Sequence, residues 1–150
     1  MRPYWQGVFP AVTTQMHRSG ALDLDATARH LEVLIDSGVG GLVMCGSLGE
    51  NQALDPAEKR AVVETAIGVA AGRVPVLSGV AETSTSAAQR YVRDCTRLGA
   101  DGFMVMPAMV YRGDDREIVA HFRSVAASTD RPLMIYNNPV SYGNDVTPAL

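Results

Sequence analysis

The 150-residue sequence contains few of the residues on which several common chemistries depend. Its two cysteines form no CxxC pair and no disulfide framework, and no two of its three histidines have the spacing of metal ligands. The glycine signatures of phosphate loops and dinucleotide sites are missing too. We therefore predict no disulfide, no metal site and no cofactor.

A surplus of positive charge and a long apolar segment are also missing. Lysine and arginine total 13 against 16 aspartate and glutamate, so nothing favours binding to nucleic-acid phosphates. Residues 1–6 lack the hydrophobic run of a signal peptide, and no stretch approaches the roughly 20 apolar residues of a membrane span. We expect one globular cytoplasmic domain with Cys45 and Cys95 reduced, Cys95 being a small apolar residue on a helix face.

Five short apolar runs, each continuous and not alternating, are present at residues 7–12, 41–45, 75–80, 102–106 and 132–136. Continuous runs are typical of strands buried on both faces. Four segments between them carry apolar residues at helical spacing and predict helices. Their stripes are Ala28, Leu31, Leu34 and Ile35; Val62, Val63, Ala66, Ile67 and Ala70; Ala88, Tyr91, Val92, Cys95 and Leu98; Ile118, Val119, Phe122, Val125 and Ala126.

Residues at the helix ends support these assignments. The sequence Asp-Pro-Ala-Glu at 55–58 places a side-chain acceptor before the second helix, proline at its first position and an acid at the third. Gly38, Gly72 and Gly99 follow the first three helices, where a left-handed residue is favoured.

Alternating strands and helices predict a parallel sheet, for which two architectures compete. A flavodoxin-like doubly wound sheet has five strands at about this length, whereas a (β/α)8 TIM barrel needs about 250 residues. A weak repeat between residues 38–45 and 99–106 favours equivalent barrel units. Thr147 and Pro148 start a helix near the last residue, whereas a flavodoxin-like domain needs its final helix to cover the sheet. We expect residues 1–150 to be the amino-terminal part of a single barrel domain, about its first five βα units, not stable alone because strand edges stay unpaired.

Two segments at strand ends could bind or transform a substrate. Gly46, Ser47, Leu48 and Gly49 follow the second predicted strand, and such a turn exposes N–H groups that suit a carboxylate or phosphate. The alternative is an ordinary glycine-rich turn.

Tyr136 ends the fifth predicted strand before Asn137, Asn138 and Pro139, at the rim where barrel enzymes keep their active sites. Its phenol could relay protons there, or its ring could simply fill the barrel mouth. Glu50, Glu82 and Asp101 near strand ends are interpreted as turn formers or ion pairs, and Met104, Met106 and Met109 as core residues.

Together these segments resemble the dihydrodipicolinate synthase / N-acetylneuraminate lyase family of Schiff-base-forming, class I aldolase-type lyases. The resemblance extends over the chain from Gly7. It rests on Gly-Val-Phe-Pro-Ala-Val-Thr-Thr at 7–14, Gly-Ser-Leu-Gly-Glu at 46–50, residues 54–59 at the start of helix two, and Tyr-Asn-Asn-Pro at 136–139. Each motif is weak alone, but all of them in order are specific.

The resemblance implies a (β/α)8 barrel, usually a homotetramer, that forms a lysine imine with a small-molecule 2-oxo acid. The substrate carboxylate would lie on the turn at Gly46, Ser47, Leu48 and Gly49, and Tyr136 would shuttle protons. The imine lysine is expected on strand six. Lys59 is the only lysine of the chain and is predicted on helix two, so the chain alone is expected to be inactive.

Three departures bear on the substrate. Dihydrodipicolinate synthases usually have two adjacent hydroxyl residues where this chain has Ser47 and Leu48. They also have a tyrosine near the position of Met109 that reaches into the neighbouring subunit, whereas the tyrosine of this chain is Tyr111. Residues 140–143, Val-Ser-Tyr-Gly, lack the arginine that grips a second carboxylate. The pattern is more similar to catabolic members, so we expect deamination or dehydration of 1-pyrroline-4-hydroxy-2-carboxylate or a 2-oxo-3-deoxy acid. Dihydrodipicolinate synthesis from pyruvate and aspartate semialdehyde is the alternative.

A non-enzymatic flavodoxin-like binding module is a second alternative. A receiver-like domain of this kind has clustered acids at the end of strand one, where this chain has Phe-Pro-Ala-Val at 9–12. A nucleotide-binding domain has its glycine turn after the first strand, and that turn is missing as well.

Overall fold

The computed structural model describes residues 5–107 and 110–150, which form four strands, four long helices and one short helix. The strands are β1 (Leu42–Met44), β2 (Val76–Val80), β3 (Gly102–Val105) and β4 (Leu133–Ile135). The helices are α1 (Leu24–Asp36), α2 (Pro56–Ala70), α3 (Thr85–Leu98), α4 (Asp115–Ala126) and α5 (Pro139–Tyr142). The four long helices agree with the predicted ones, and α5 was not predicted.

The strands lie parallel in the order β1-β2-β3-β4. Leu42 pairs with Val76, Leu77 with Gly102, and Phe103 with Leu133, so each strand adds to the one before it. A doubly wound sheet reverses direction at a switch point, as in the order 2-1-3-4-5, whereas a barrel adds strands consecutively. The observed order therefore favours the barrel.

The prediction of a full strand at residues 7–12 is wrong. Ala11 makes an isolated parallel bridge with Val43 beside β1. The Val12 N–H donates to the Val43 carbonyl, and the Val43 N–H donates to the Pro10 carbonyl, both at 3.0 Å. Because Pro10 has no N–H of its own, it interrupts the ladder, although the segment keeps its place at the sheet edge.

Alternate residues of the strands point to opposite faces of the sheet. One face packs on the helices and includes Leu42, Met44, Val76, Val80, Phe103 and Val105. The other face carries Val43, Leu77, Ala81, Met104 and Met106, against which Trp5, Phe9 and Tyr136 pack. We call these the helix face and the inner face.

Strands β1 to β3 are buried on both faces, as predicted, but β4 is not. Met134 is 38% exposed and Ile135 is 51% exposed. The prediction failed there because burial of a strand depends on what lies beside it, and in the described part of the chain β3 is the one strand paired with β4.

Local capping explains where the helices begin and end. Asp55 and Glu58 form the predicted reciprocal capping box at the start of α2, and Asp114 and Glu117 form another at α4. Gly38, Gly72 and Gly99 have φ of +83°, +77° and +106°, as expected for residues that follow helices. Thr147 to Leu150, where a helix start was predicted, form one turn in which the Leu150 N–H donates to the Thr147 carbonyl at 3.0 Å.

In the residues that the structure describes, no helix combines the length and apolar character that crossing a membrane requires.

Candidate active site

The Gly46–Gly49 segment forms a tight double turn directly after β1. The Gly49 N–H donates to the Gly46 carbonyl at 3.0 Å, and the Glu50 N–H donates to the Ser47 carbonyl at 3.1 Å. Cys45 and Glu50 flank the turn in the left-handed region, with φ of 51° and 58°. Residues other than glycine are rarely found there, so their surroundings must hold them in this conformation.

The turn is packed closely against the amino-terminal segment. A Cβ atom at Gly49 would lie 2.8 Å from the Val12 carbonyl oxygen, so a larger residue cannot occupy the position without a shift. The Thr14 hydroxyl donates to the Gly49 carbonyl at 2.7 Å. Gly49 therefore anchors the turn to the amino-terminal segment at Val12 and Thr14.

A cavity of about 270 Å³ lies at the carboxyl ends of the strands on the inner face. It brings together the predicted residues Gly46, Ser47, Leu48 and Tyr136, whereas Gly49 is not part of its lining. The remaining lining residues are Phe9, Ala11, Val43, Met104 and Met106. The two segments singled out in the sequence, 90 positions apart, thus share one site, and their roles in binding and catalysis stay predictions.

Tyr136 extends the β3–β4 pairing by one residue, because its N–H donates to the Val105 carbonyl at 2.8 Å. Its ring packs on the inner face, and its hydroxyl accepts a long hydrogen bond of 3.4 Å from the Asn138 side chain. Asn138 also caps α5 by accepting from the Ser141 N–H at 3.1 Å. The position suits both interpretations of Tyr136, the proton shuttle and the aromatic filler.

Tyr142 was not predicted from the sequence as a candidate residue, but it contacts two residues that line the cavity. It ends α5, its hydroxyl forms a short hydrogen bond with the Ser47 hydroxyl, and its ring centroid lies 6.1 Å from that of Tyr136. A signal for α5 was available, since Asn138 followed by Pro139 is a common helix start. The contact with Ser47 had no local signal.

The sequence matches a known protein family over almost its whole length. The family model of the dihydrodipicolinate synthetase family matches residues 4–150 of the chain. The chain belongs to this family. A 4-hydroxy-tetrahydrodipicolinate synthase of Methanospirillum hungatei is 37% identical over 146 residues, covering 96% of this chain and 50% of the relative. A probable 2-dehydro-3-deoxy-D-pentonate aldolase of Escherichia coli, YjhH, is 33% identical, covering 96% and 48%.

Solved structures of the dihydrodipicolinate synthetase family share the fold. The crystal structure of YagE, a prophage protein of this family from Escherichia coli K12 in complex with pyruvate, superposes with a TM-score of 0.94 at 34% identity. The match covers 99% of this chain and 50% of that one. The predicted partial (β/α)8 barrel is thereby confirmed. The chain spans about half the length of the curated relatives it matches.

Met109, near which the resemblance implies a family tyrosine, lies outside the described residues, and Tyr111 is the tyrosine of this chain nearest to it. Tyr111 is exposed, and its hydroxyl donates to the Glu117 carboxylate on its own chain at 3.1 Å. Hydrogen bonding to Glu117 and the charge of that carboxylate raise the pKa of Tyr111. Tyr111 thus contacts α4 and does not line the cavity.

Two of the three acidic residues near strand ends, Asp101 and Glu82, have structural roles, as was expected. The Asp101 carboxylate accepts the Val76 N–H at 2.9 Å, and Glu82 forms an ion pair of 2.8 Å with Lys59. Lys59 lies on α2 as predicted, but its burial was not foreseen, since only 6% of its surface is exposed.

The two cysteines are free and buried, and burial was predicted for Cys95. Burial is the main cause that raises the pKa of Cys45 to about 11 and that of Cys95 to about 12. His121 is buried, accepts or donates a 3.0 Å hydrogen bond with Thr85, and has its pKa lowered by burial. Over residues 5–107 and 110–150, no three His, Cys, Asp or Glu side chains form a group that could hold a metal ion.

Proposed function

We propose that the enzyme to which this half-barrel contributes is a Schiff-base-forming lyase acting on a 2-oxo acid or a cyclic imino acid. The observation that carries the proposal is the shared cavity of Tyr136 and the Gly46–Leu48 turn at the carboxyl ends of parallel strands. Active sites of barrel enzymes are built at this end. Membership of the dihydrodipicolinate synthetase family supports the same chemistry.

In the proposed mechanism, the amine of a lysine outside residues 1–150 attacks C2 of the substrate. When the substrate is an oxo acid, water leaves and an iminium forms, which withdraws electrons from the neighbouring carbon. When the substrate is a cyclic imino acid, the bond from C2 to the ring nitrogen breaks instead, the nitrogen takes up a proton as an open-chain amine, and the same kind of iminium forms. Tyr136 moves the proton at that carbon or at the leaving group, an effect worth about 10²–10⁴-fold in comparable roles. The turn at Gly46, Ser47 and Leu48 holds the substrate carboxylate and fixes its orientation.

The proposed substrates are 1-pyrroline-4-hydroxy-2-carboxylate, which would be deaminated, or a 2-oxo-3-deoxy acid, which would be dehydrated. The segment after Pro139 places the phenol of Tyr142 beside Ser47, and residues 140–143 contain no arginine to bind a second carboxylate. The relative named as a pentonate aldolase supports an oxo-acid substrate of this second kind.

Dihydrodipicolinate synthesis is the alternative, and it is supported by the names of several relatives at 36–38% identity. The flavodoxin-like binding module has no such support, because the consecutive strand order and the family membership both argue against it. The cytoplasmic location and the homotetramer stay predictions.

Borohydride trapping tests the imine. The full-length protein is incubated with pyruvate or a substrate analogue and reduced, and the adduct is located by peptide mass spectrometry. We expect an adduct on a lysine about 25–30 residues beyond Tyr136, since that is the usual length of one βα unit. Absence of any adduct would remove the imine mechanism.

A coupled assay tests the substrate separately. We expect slow condensation of pyruvate with aspartate semialdehyde and faster release of water or ammonia from the proposed substrates. Efficient dihydrodipicolinate formation would establish the synthase instead.

A further inference from the structure

The only lysine of the chain lies in a buried polar cluster beneath the Gly46–Gly49 turn. The Lys59 ammonium donates to the Glu82 carboxylate at 2.8 Å and to the Asn51 side-chain oxygen at 3.0 Å. It also lies 5.7 Å from the ring centroid of Tyr91, whose hydroxyl is hydrogen-bonded to Ser78 at 2.7 Å. Such a cluster satisfies the charge that burial would otherwise penalise.

This arrangement does not suit Lys59 to act as the imine nucleophile. The amine is engaged by two acceptors and an aromatic ring, and its side chain is 7% exposed. Tyr91 belongs to the core on the helix face, whereas the cavity lies on the inner face. A different role is therefore required to explain a buried lysine here.

Asn51 connects Lys59 to the turn. An ammonium can only donate hydrogen bonds, so it selects the amide orientation in which the Asn51 oxygen faces Lys59. The Asn51 nitrogen then donates to the Cys45 carbonyl at 2.7 Å and, more weakly, to the Gly79 carbonyl at 3.4 Å. The charge on Lys59 thus determines which end of the Asn51 amide meets the backbone at Cys45.

The Cys45 carbonyl belongs to the same peptide unit as the Gly46 N–H. A trans peptide is planar, so its C=O and N–H point in opposite directions. Holding the Cys45 carbonyl against Asn51 therefore directs the Gly46 N–H away from the buried cluster, and Gly46 lines the cavity. The left-handed φ of 51° at Cys45 makes this orientation dependent on support from outside the turn.

We propose that Lys59 is a positioning residue that, through Asn51, orients the Cys45–Gly46 peptide so that its N–H faces the substrate carboxylate. The inference rests on the proposed function. It assigns to Lys59 a role at the carboxylate-binding turn, without contact with the reacting atoms.

The test measures the pyruvate concentration that gives half-maximal borohydride trapping of the full-length enzyme. Lys59→Met is expected to raise this concentration about tenfold, equivalent to about 1.4 kcal/mol, because the Gly46 N–H is no longer held in place. Lys59→Arg retains the donors and is expected to stay within about threefold of the wild type. An unchanged value in Lys59→Met would overturn the proposal.

Two further variants separate positioning from general destabilisation. Arg60→Met, at the next position of α2, removes an ion pair with Asp94 and a cation–π contact of 5.8 Å with the Tyr91 ring. It leaves the hydrogen bond from Lys59 to Asn51 in place and is expected to leave the half-saturating concentration unchanged. An equal rise in Arg60→Met would overturn the proposal in favour of a loss of stability alone. Asn51→Leu keeps the approximate shape of the side chain but cannot donate to Cys45, so it is expected to match Lys59→Met. If Lys59→Met does not fold, Asn51→Leu decides the matter.

The double variant of Lys59→Met and Asn51→Leu tests whether the two residues act in series. Each single change should already abolish the constraint on Cys45, so the double variant should bind pyruvate no more weakly than either one. Additive losses would contradict the path through Asn51.

A wild-type enzyme without any adduct would reject the proposed function together with this inference, whereas a trapped wild type with unaffected variants would reject the inference alone. An adduct on Lys59 itself would also overturn it.

Discussion

The hydroxyl groups of Ser47, which lines the cavity, and Tyr142, 95 positions further along the sequence, are hydrogen-bonded to each other. Ser47 belongs to the turn after β1, and Tyr142 ends the short helix α5 after β4. The contact therefore ties the two ends of the described sheet together on the side where substrate is proposed to bind. Tyr142 belongs to residues 140–143, the stretch in which dihydrodipicolinate synthases are expected to carry an arginine.

Removal of the Tyr142 hydroxyl should weaken substrate binding. In Tyr142→Phe the ring remains but Ser47 loses its partner, so we expect KM for the 2-oxo acid to rise by roughly 3- to 10-fold, as for one hydrogen bond of about 0.5–1.5 kcal/mol. Steady-state kinetics of the full-length enzyme measure this. Ser141→Ala, an exposed change in the same helix, is the control and should leave KM as it is. Equal KM values for Tyr142→Phe and the wild type would show that the contact does not support binding.

Tyr136 is the residue on which proton transfer is expected to depend. Tyr136→Phe keeps the ring on the inner face and loses a long hydrogen bond of 3.4 Å, so we expect little change in stability. We expect kcat to fall by roughly two to four orders of magnitude, the range of general acid–base groups. Turnover and thermal unfolding of the full-length protein are measured together. Loss of the fold would support the aromatic filler, and near-normal turnover would assign the proton transfer to another group.

Gly79 on β2 should not tolerate a side chain. A Cβ atom there would lie 2.4 Å from the Cys45 carbonyl oxygen, so Gly79→Ala must displace the backbone before the turn. We expect a destabilisation of about 1–3 kcal/mol, as for overpacking in a core, together with weaker trapping by pyruvate.

Gly68 provides the matched control for Gly79. It lies within α2, and a Cβ atom at this position meets nothing within 4 Å. Gly68→Ala should therefore stabilise the protein by about 0.5–1 kcal/mol, because alanine loses less backbone entropy in a helix. Thermal unfolding of both full-length variants should show opposite shifts in Tm. A lower Tm for Gly68→Ala would contradict the packing at α2.

The buried thiols predict that stability declines at alkaline pH. Burial raises the pKa of Cys45 from 9.0 to about 11, so between these values the folded state keeps the proton that the unfolded state loses. The unfolded state then binds fewer protons, and the free energy of unfolding falls by up to about 1.4 kcal/mol per pH unit for this thiol. Cys95 has a pKa of about 12 and acts in the same direction.

Denaturant unfolding of the full-length protein between pH 8.5 and 10.5 measures this decline. Cys45→Ala should make the fall less steep, because one of the two thiols no longer contributes. A wild-type stability that does not change over this range would show that the thiols titrate normally.

The sequence alone determined most of the local structure and the identity of the fold. Helix α2 begins where Asp55 and Glu58 can satisfy free N–H groups, and three helices end before glycines with positive φ. These features depend on residues within one helical turn of each other. The continuous apolar runs likewise predicted β1 to β3 as doubly buried strands. Pro10 and the exposed β4 mark where this reasoning failed, because pairing and burial depend on neighbours that a strand does not itself encode.

The candidate site was predicted only in part. The turn at Gly46 and the phenol of Tyr136 were recognisable because each directly follows a predicted strand, and parallel strands end at one edge of the sheet. The contacts of Lys59 and Tyr142 were not recognisable, because each joins two elements that are separate in the sequence. Hydropathy cannot distinguish a buried, paired lysine from an exposed one. Only the folding of α2 and α3 onto the sheet brings Lys59 against Glu82. Until then water and salt screen the attraction between the two charges, and neither local sequence carries a signature of it.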